Sequence, residues 1–135
     1  MTTAFVSGHL DLTQEEFDGH YAPYILSAMA SNHDIVVGDA RGADDMAQRL
    51  IKKWTPILNY TGHVTVYHML QLPRFNAGFK TKDGYTSNTG KDSAMTEASD
   101  YDILYIRPDK HSSVSGRVSG TEQNLIRRKA KGSTK

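Results

Sequence analysis

The chain has no cysteine. Disulfide staples and thiolate metal sites are therefore excluded, and the composition suits a reducing compartment. No apolar run approaches the roughly 18–20 residues that a membrane span needs, so no membrane association is expected. The opening stretch MTTAFVSGHLDL lacks a basic segment followed by a long apolar one. No secretory leader is expected from it, and the cytoplasm is the expected setting. Net charge is only +1 over 135 residues. That is too small for the global basic field that accompanies nucleic-acid binding, so nucleic acid is not an expected partner. Six histidines are present, but no two have the one-turn spacing of a helical metal motif. Neither a metal nor a cofactor is expected. Proline is scarce, at four, and each is expected to mark a break. Pro23 would kink or split a helix, Pro56 would stop one, and Pro108 would end a strand.

What is present is ordered around Asp34 to Ala47, DIVVGDARGADDMA. Three apolar residues, Ile35, Val36 and Val37, run into Gly38. A polar turn follows, and a helical pattern opens at Gly42. This is the grammar of a buried strand, a glycine turn and a helix N-terminus. Unpaired N–H groups and the positive end of the dipole point into such a turn, where anions bind. The same pattern also suits a plain joint between two elements.

The rest of the chain repeats the alternation. Ala4 to Ser7 is a short apolar run ending at Gly8. Thr13 with Glu16 three residues on predicts a capping box. Phe17, Tyr21, Tyr24, Ile25, Ala28 and Met29 follow at helical spacing. The helix opening at Gly42 is expected to run to Trp54. Val64 to Tyr67 reads as a third strand. Residues 70–90 show glycines, a proline and no sustained period, which predicts a long functional loop or lid. Phe75, Phe79 and Tyr85 on it are expected to stack over a ligand. Lys91 to Ser99 reads as a helix, Ile103 to Ile106 as a strand, 109–118 as a loop, and 121–131 as a last helix with a basic end. This order predicts a single α/β domain, a three-layer αβα arrangement on a parallel sheet of about four to five strands.

Ligands of open parallel sheets bind beyond the carboxyl ends of the strands. Four segments fall on that rim: Ser7, Gly8 and His9; Gly38, Asp39, Ala40, Arg41, Gly42, Ala43 and Asp44; the 70–92 segment with Lys91 and Asp92; and the 107–121 segment ending in Ser119, Gly120 and Thr121. The hydroxyl–glycine–hydroxyl run at a helix start suits either a phosphate cradle or an ordinary cap. Asp39, Asp44, Asp92 and Glu122 are carboxylates that would meet on the rim.

VVGDARGADDMAQRLI resembles the strand–GGAxGAD–helix motif of the SLOG superfamily, in particular its small stand-alone YspA-like members. Three further places are similar. These are Phe5-Val6-Ser7-Gly8-His9, Lys91-Asp92-Ser93-Ala94-Met95, and Ser119-Gly120-Thr121-Glu122-Gln123-Asn124. The resemblance covers nearly all of the chain outside 70–90. It implies a Rossmann-like domain that binds a nucleotide or nucleotide-derived small molecule as sensor, carrier or sponge, with Met95 among the ligand-facing residues. It also implies a homo-oligomer. The alternative it implies is an N-glycoside hydrolase or phosphoribohydrolase acting on a nucleoside monophosphate, with Glu122 or Asp39 as the catalytic carboxylate. The LOG-type enzymes of this superfamily carry PGGxGTxxE. Here the prolyl-glycine pair is absent, Glu122 follows Thr121 directly, and Lys91 stands where many relatives have arginine. A third reading is a structural partner that lays its basic last helix on an acidic surface.

Overall fold

A computed structural model of the chain describes residues 2–107 and 120–131, with the side chains of residues 120–122 outside that description. Five strands form one all-parallel sheet: β1 (Thr3–Val6), β2 (Asp34–Val37), β3 (Val64–Met69), β4 (Lys80–Tyr85) and β5 (Tyr101–Ile103), in the order β4-β3-β2-β1-β5. Five helices accompany them: α1 (Gln14–His20), α2 (Ala22–Ala30), α3 (Ala43–Leu58), α4 (Asn88–Glu97) and α5 (Gly120–Lys131). The fold is Rossmann-like α/β, as the alternation predicts.

Strand alternation divides the core. Ala4, Val6, Ile35, Val37 and Val66 point to a large cluster with Phe17, Ile25, Ala47 and Ile51, on the face covered by α1, α2 and α3. Phe5, Val36 and Tyr67 point to the opposite face and meet Met95 of α4. Both faces of the central strands are thus covered, which is why they read as near-continuous apolar runs. From β1 the chain steps outward through β2 and β3 to β4, then returns to the far side of β1 as β5. The direction of winding therefore reverses at β1, and in open α/β sheets the ligand crevice lies at such a reversal.

The local predictions meet the structure unevenly. The Thr13–Glu16 capping box is present. Pro23 does split the helix: α1 ends at His20, and α2 begins with Pro23 in its first turn, where its missing N–H costs nothing. Pro56 does not stop α3, which continues to Leu58 and ends on Asn59 at φ 53. A proline in the final turn forfeits one hydrogen bond, and α3 retains a long face packed on the sheet. The fourth helix starts at Asn88, capped by Ser87, rather than at Lys91. The last strand is Tyr101–Ile103, paired with Ala4 to Val6, rather than residues 103–106.

The largest difference lies in 70–90, expected as one long loop. It contains β4 and the first turn of α4. The strand KTKDGY has no apolar face because it is an outer edge, exposed along most of its length. Lysines on such an edge discourage pairing with another chain. Only residues 70–79 connect β3 to its parallel neighbour, a crossover without a helix. The polar Gln48, buried within α3, donates to the carbonyls of Gly38 and Phe75 and accepts from the N–H of Ala77. That one side chain fastens the crossover to the end of β2.

α5 is held by a buried guanidinium. Arg128 is 4% exposed. It donates to Asp102 at 2.9 Å, to the Ser99 carbonyl at 2.8 Å and to the Ser99 hydroxyl at 2.5 Å. Removing one partner of a buried pair leaves the other charge uncompensated. Arg128→Met is expected to lower stability by about 3 kcal/mol, read by urea unfolding. A loss under about 1 kcal/mol would show that α5 is held by its apolar contacts instead.

Candidate functional site

A cleft of 310 Å³ opens at the carboxyl ends of β1 and β2, against α4 and α5. Ser7, Gly8 and His9 of the β1 end line it, as do Gly38, Ala40 and Asp44 after β2 and Lys91, Asp92 and Met95 of α4. These nine are residues predicted from sequence. Leu10, Arg74, Asn88 and Asn124 also line it and were not predicted. Asn124 lies one helical turn into α5, and Arg74 lies in the crossover whose lack of period hid it.

Other predicted residues sit elsewhere. Asp39 lies behind the cleft wall, 1% exposed. The Arg74 backbone N–H donates to it at 2.7 Å and the Arg74 guanidinium at 2.8 Å. Burial works against the charged form of Asp39, but the bonds from Arg74 outweigh it and hold the carboxyl below its usual range. Asp39 is thus a fixed anion that anchors the crossover. Arg41 is exposed and borders a separate hollow with Leu10, Asp45 and Phe75. Ala43 is buried beneath the turn and packs with the core. Ser119 lies outside the described residues. Gly120, Thr121 and Glu122 form the first turn of α5, with side chains outside the description.

Two N–H groups of the turn expected to cradle a phosphate are already taken. The Ala43 N–H donates to the His9 carbonyl at 3.2 Å, and the Ala40 N–H donates to the Asp44 carboxylate at 3.2 Å. Asp44 and Asp45 both lie in the first turn of α3, where acidic groups complement the dipole. Gly42 is needed for the scaffold. Its φ is 79, and a side chain there would strike the carbonyl oxygens of His9 and Leu10. Gly8 is likewise required by packing, since a Cβ would run into the Tyr21 hydroxyl and lie 2.5 Å from the Ala43 methyl.

The cationic group of the cleft is Lys91. It is 4% exposed. Its nearest carboxylates are Asp92 at 3.9 Å and Asp39 at 4.0 Å, and among the described residues it makes no hydrogen bond. A buried ammonium without hydrogen bonds is costly. Beside it the Ser7 hydroxyl, also buried, has no partner among the described residues. Arg74 completes a cationic side to the cleft. The acidic side is Asp44 and Asp92. Asp44 keeps part of its surface toward the cleft yet is ringed by protein. Desolvation lifts its carboxyl to about 7, reinforced by Asp92 and Asp39 and opposed by Lys91 and the Ala40 N–H. Burial also raises Asp92, against Lys91 and Arg127. Among the described residues no group of carboxylates and histidines is arranged to hold a metal ion.

The aromatic residues expected over a ligand pack elsewhere. Phe75 lies under the Arg49 guanidinium at 4.7 Å, and Phe79 lies near Lys52 at 5.9 Å. Tyr85 stacks on Tyr67 at 5.9 Å. Among the described residues no helix is long and apolar enough to cross a membrane.

Comparison of the chain with models of known protein families, with curated proteins and with solved structures finds no match.

Two outcomes are expected from these contacts. Gly42→Ala should cost about 2 kcal/mol or more, because the positive φ and the two carbonyls both oppose a side chain. Thermal unfolding measures this, and a neutral result would mean that the turn can rearrange. Asp44→Asn should act in a pH-dependent way. The native carboxyl holds its proton more tightly than the unfolded one, so the ionised form weakens the fold as pH rises from about 4 through 7. The substitution should therefore gain about 2 kcal/mol over the parent at pH 8 and little at pH 4. Equal gains at both pH values would remove the desolvation account.

Proposed function

We propose that the rim cleft binds a nucleotide or nucleotide-derived small molecule, with its anionic group on Lys91. The observation that carries this is the Lys91 ammonium, on a residue only 4% exposed, which lines the cleft and makes no hydrogen bond among the described residues. A phosphate oxygen at that point would accept from the ammonium, and the Ser7 hydroxyl and Arg74 would add charge-assisted or neutral bonds. The phosphate is thus assigned to the α4 side of the cleft, away from the Arg41–Gly42 turn. A volume of 310 Å³ falls at the small end of small-molecule sites, roughly 300–1,000 Å³. Asn88 offers an amide of both hydrogen-bonding senses to a sugar or base, while the buried Asn124 amide is engaged by Arg127 and Asp92. The resemblance to SLOG proteins points the same way, and with it go a cytosolic setting and self-association.

A second reading is N-glycosidic bond cleavage in the same cleft. It is favoured by the contrast between Asp44, whose carboxyl sits near neutrality, and the fixed anion Asp39. Carboxyls driven apart in this way divide acid and base roles. In that reading Asp44 protonates the leaving base. Asp39 is committed to Arg74 and does not touch the substrate.

A panel of nucleoside 5′-monophosphates in a thermal-shift assay tests the binding. At least one member should raise the melting temperature of the parent, because a ligand specific for the native state adds stability. Lys91→Met should fold and lose that shift. An equal shift in parent and variant, or none with any member, overturns the assignment. Chromatography of the same mixtures for free base decides between binding and cleavage.

A further inference from the structure

We infer that an anion entering the rim cleft is taken up together with one proton, and that Asp44 is the residue that holds this proton. The inference rests on the anion position at Lys91 proposed above. Its basis is the geometry over Gly38. A Cβ built on Gly38 would lie 2.5 Å from an Asp44 carboxylate oxygen and 3.1 Å from the Lys91 ammonium. The two groups thus approach one point above the end of β2 from opposite sides, and only a glycine leaves that point open. They form no ion pair with each other. Among the described residues, the one hydrogen bond to Asp44 is from the Ala40 N–H.

An anion that reaches Lys91 therefore arrives beside the Asp44 carboxyl. Two negative charges a few ångströms apart in a desolvated site cannot both persist, and one is neutralised by a proton. The anion also draws on the positive charge that otherwise favours ionised Asp44. Both effects favour the protonated form. That form has an O–H to donate to the ligand, so repulsion becomes a hydrogen bond. The carboxyl of the free protein already sits near neutrality through desolvation, which puts the change within an accessible pH range.

The other groups around Asp44 do not replace it. From the end of β2, Asp39 is held ionised by Arg74. From the crossover, Arg74 is pushed up by its bond to Asp39 and stays charged. Between α1 and α2, burial raises the Tyr21 phenol and keeps its proton in place. From α4 come Lys91 and Asp92, and Asp92 is the second carboxyl raised by burial. From the loop after β1 comes His9, and from α5 the uncharged Asn124. Asp92 and His9 are thus the alternatives that the experiment must separate.

Sulfate is the probe, since its charge does not change between about pH 5 and 9. Calorimetric titration at pH 8 in two buffers of unlike ionisation enthalpy should show uptake of up to about one proton per sulfate, and about half that at pH 7, where the carboxyl of the free protein is already about half protonated. Affinity should fall up to about tenfold from pH 6 to pH 8. Asp44→Asn keeps the acceptor for the Ala40 N–H. It should abolish proton uptake and bind at pH 8 as the parent does at pH 6. Asp92→Asn and His9→Gln should retain the uptake. Uptake that survives in Asp44→Asn, or disappears in either control, overturns the assignment to Asp44. Sulfate binding to the parent without proton uptake overturns the coupling and leaves the anion site standing. No sulfate binding to the parent at pH 6 overturns both.

Discussion

Much of the rim depends on one phenol. Tyr21 is completely buried at the joint between α1 and α2. Its hydroxyl donates to the Ser7 carbonyl at 2.8 Å and accepts from the Tyr105 N–H at 3.0 Å. It therefore ties the ends of β1 and β5, the strands on either side of the point where winding reverses. The Ser7 carbonyl, held in this way, orients a peptide whose hydroxyl side chain faces the cleft. Gly8 has no side chain because the same phenol occupies the space. Burial drives the phenol to keep its proton, so the donor is permanent. Beyond β5, Arg107 repeats the fastening with bonds to Glu16 and Asp11, and the guanidinium holds the Glu16 carboxyl down to about 2. The floor of the cleft is thus set by contacts from the opposite face of the sheet.

The crossover of residues 70–79 extends this logic to the other wall. It lacks a helix, and of its apolar side chains Leu70 and Leu72 are exposed while Phe79 packs against the main core. Polar side chains at the end of β2 and in α3 hold the rest. Asp39 takes two bonds from Arg74, and Gln48 takes one from Ala77 while giving one to Phe75. Asn76 closes a turn by accepting from Gly78 and Phe79. The Asp39 and Gln48 side chains are buried, so their bonds exclude competing water and are worth more than exposed equivalents. Asp39 gives up direct contact with a ligand and in return positions Arg74 at the cleft.

What was legible in the sequence follows from what burial imposes. Central strands buried on both faces must be apolar, so Phe5, Val36 and Val66 announced β1, β2 and β3. Capping chemistry is local, and Thr13 with Glu16 announced the start of α1. The edge strand β4 has no burial to satisfy, and its pairing rests on backbone groups that any residue carries. KTKDGY therefore left no pattern to read. Most rim residues were legible from the rule that strand ends carry ligands. Their roles were not, because roles depend on which N–H groups are already taken. Arg41 and Asp39 stand two residues apart, yet one faces solvent and the other lies buried behind Arg74. Arg74, Asn88 and Asn124 reach the cleft from three segments, and only tertiary structure unites them.

The polarity of the cleft follows from that bookkeeping of N–H groups. A helix N-terminus attracts anions only while its donors are free. At α3 the protein supplies its own anion: Asp44 sits in the first turn and takes the Ala40 N–H, and the His9 carbonyl takes that of Ala43. The glycine turn thus carries an acidic group of its own at the helix start. The positive charge moves across the cleft to Lys91, which α4 buries next to Met95 and which leans toward Gly38. The anion proposed for Lys91 would meet the Asp44 carboxyl across the width of one absent side chain. The carboxyl can accommodate such a neighbour only by holding a proton, which it then donates. The wall would thus be acidic toward an empty cleft and a hydrogen-bond donor toward an anion, a change of sense that a fixed charge in its place could not make.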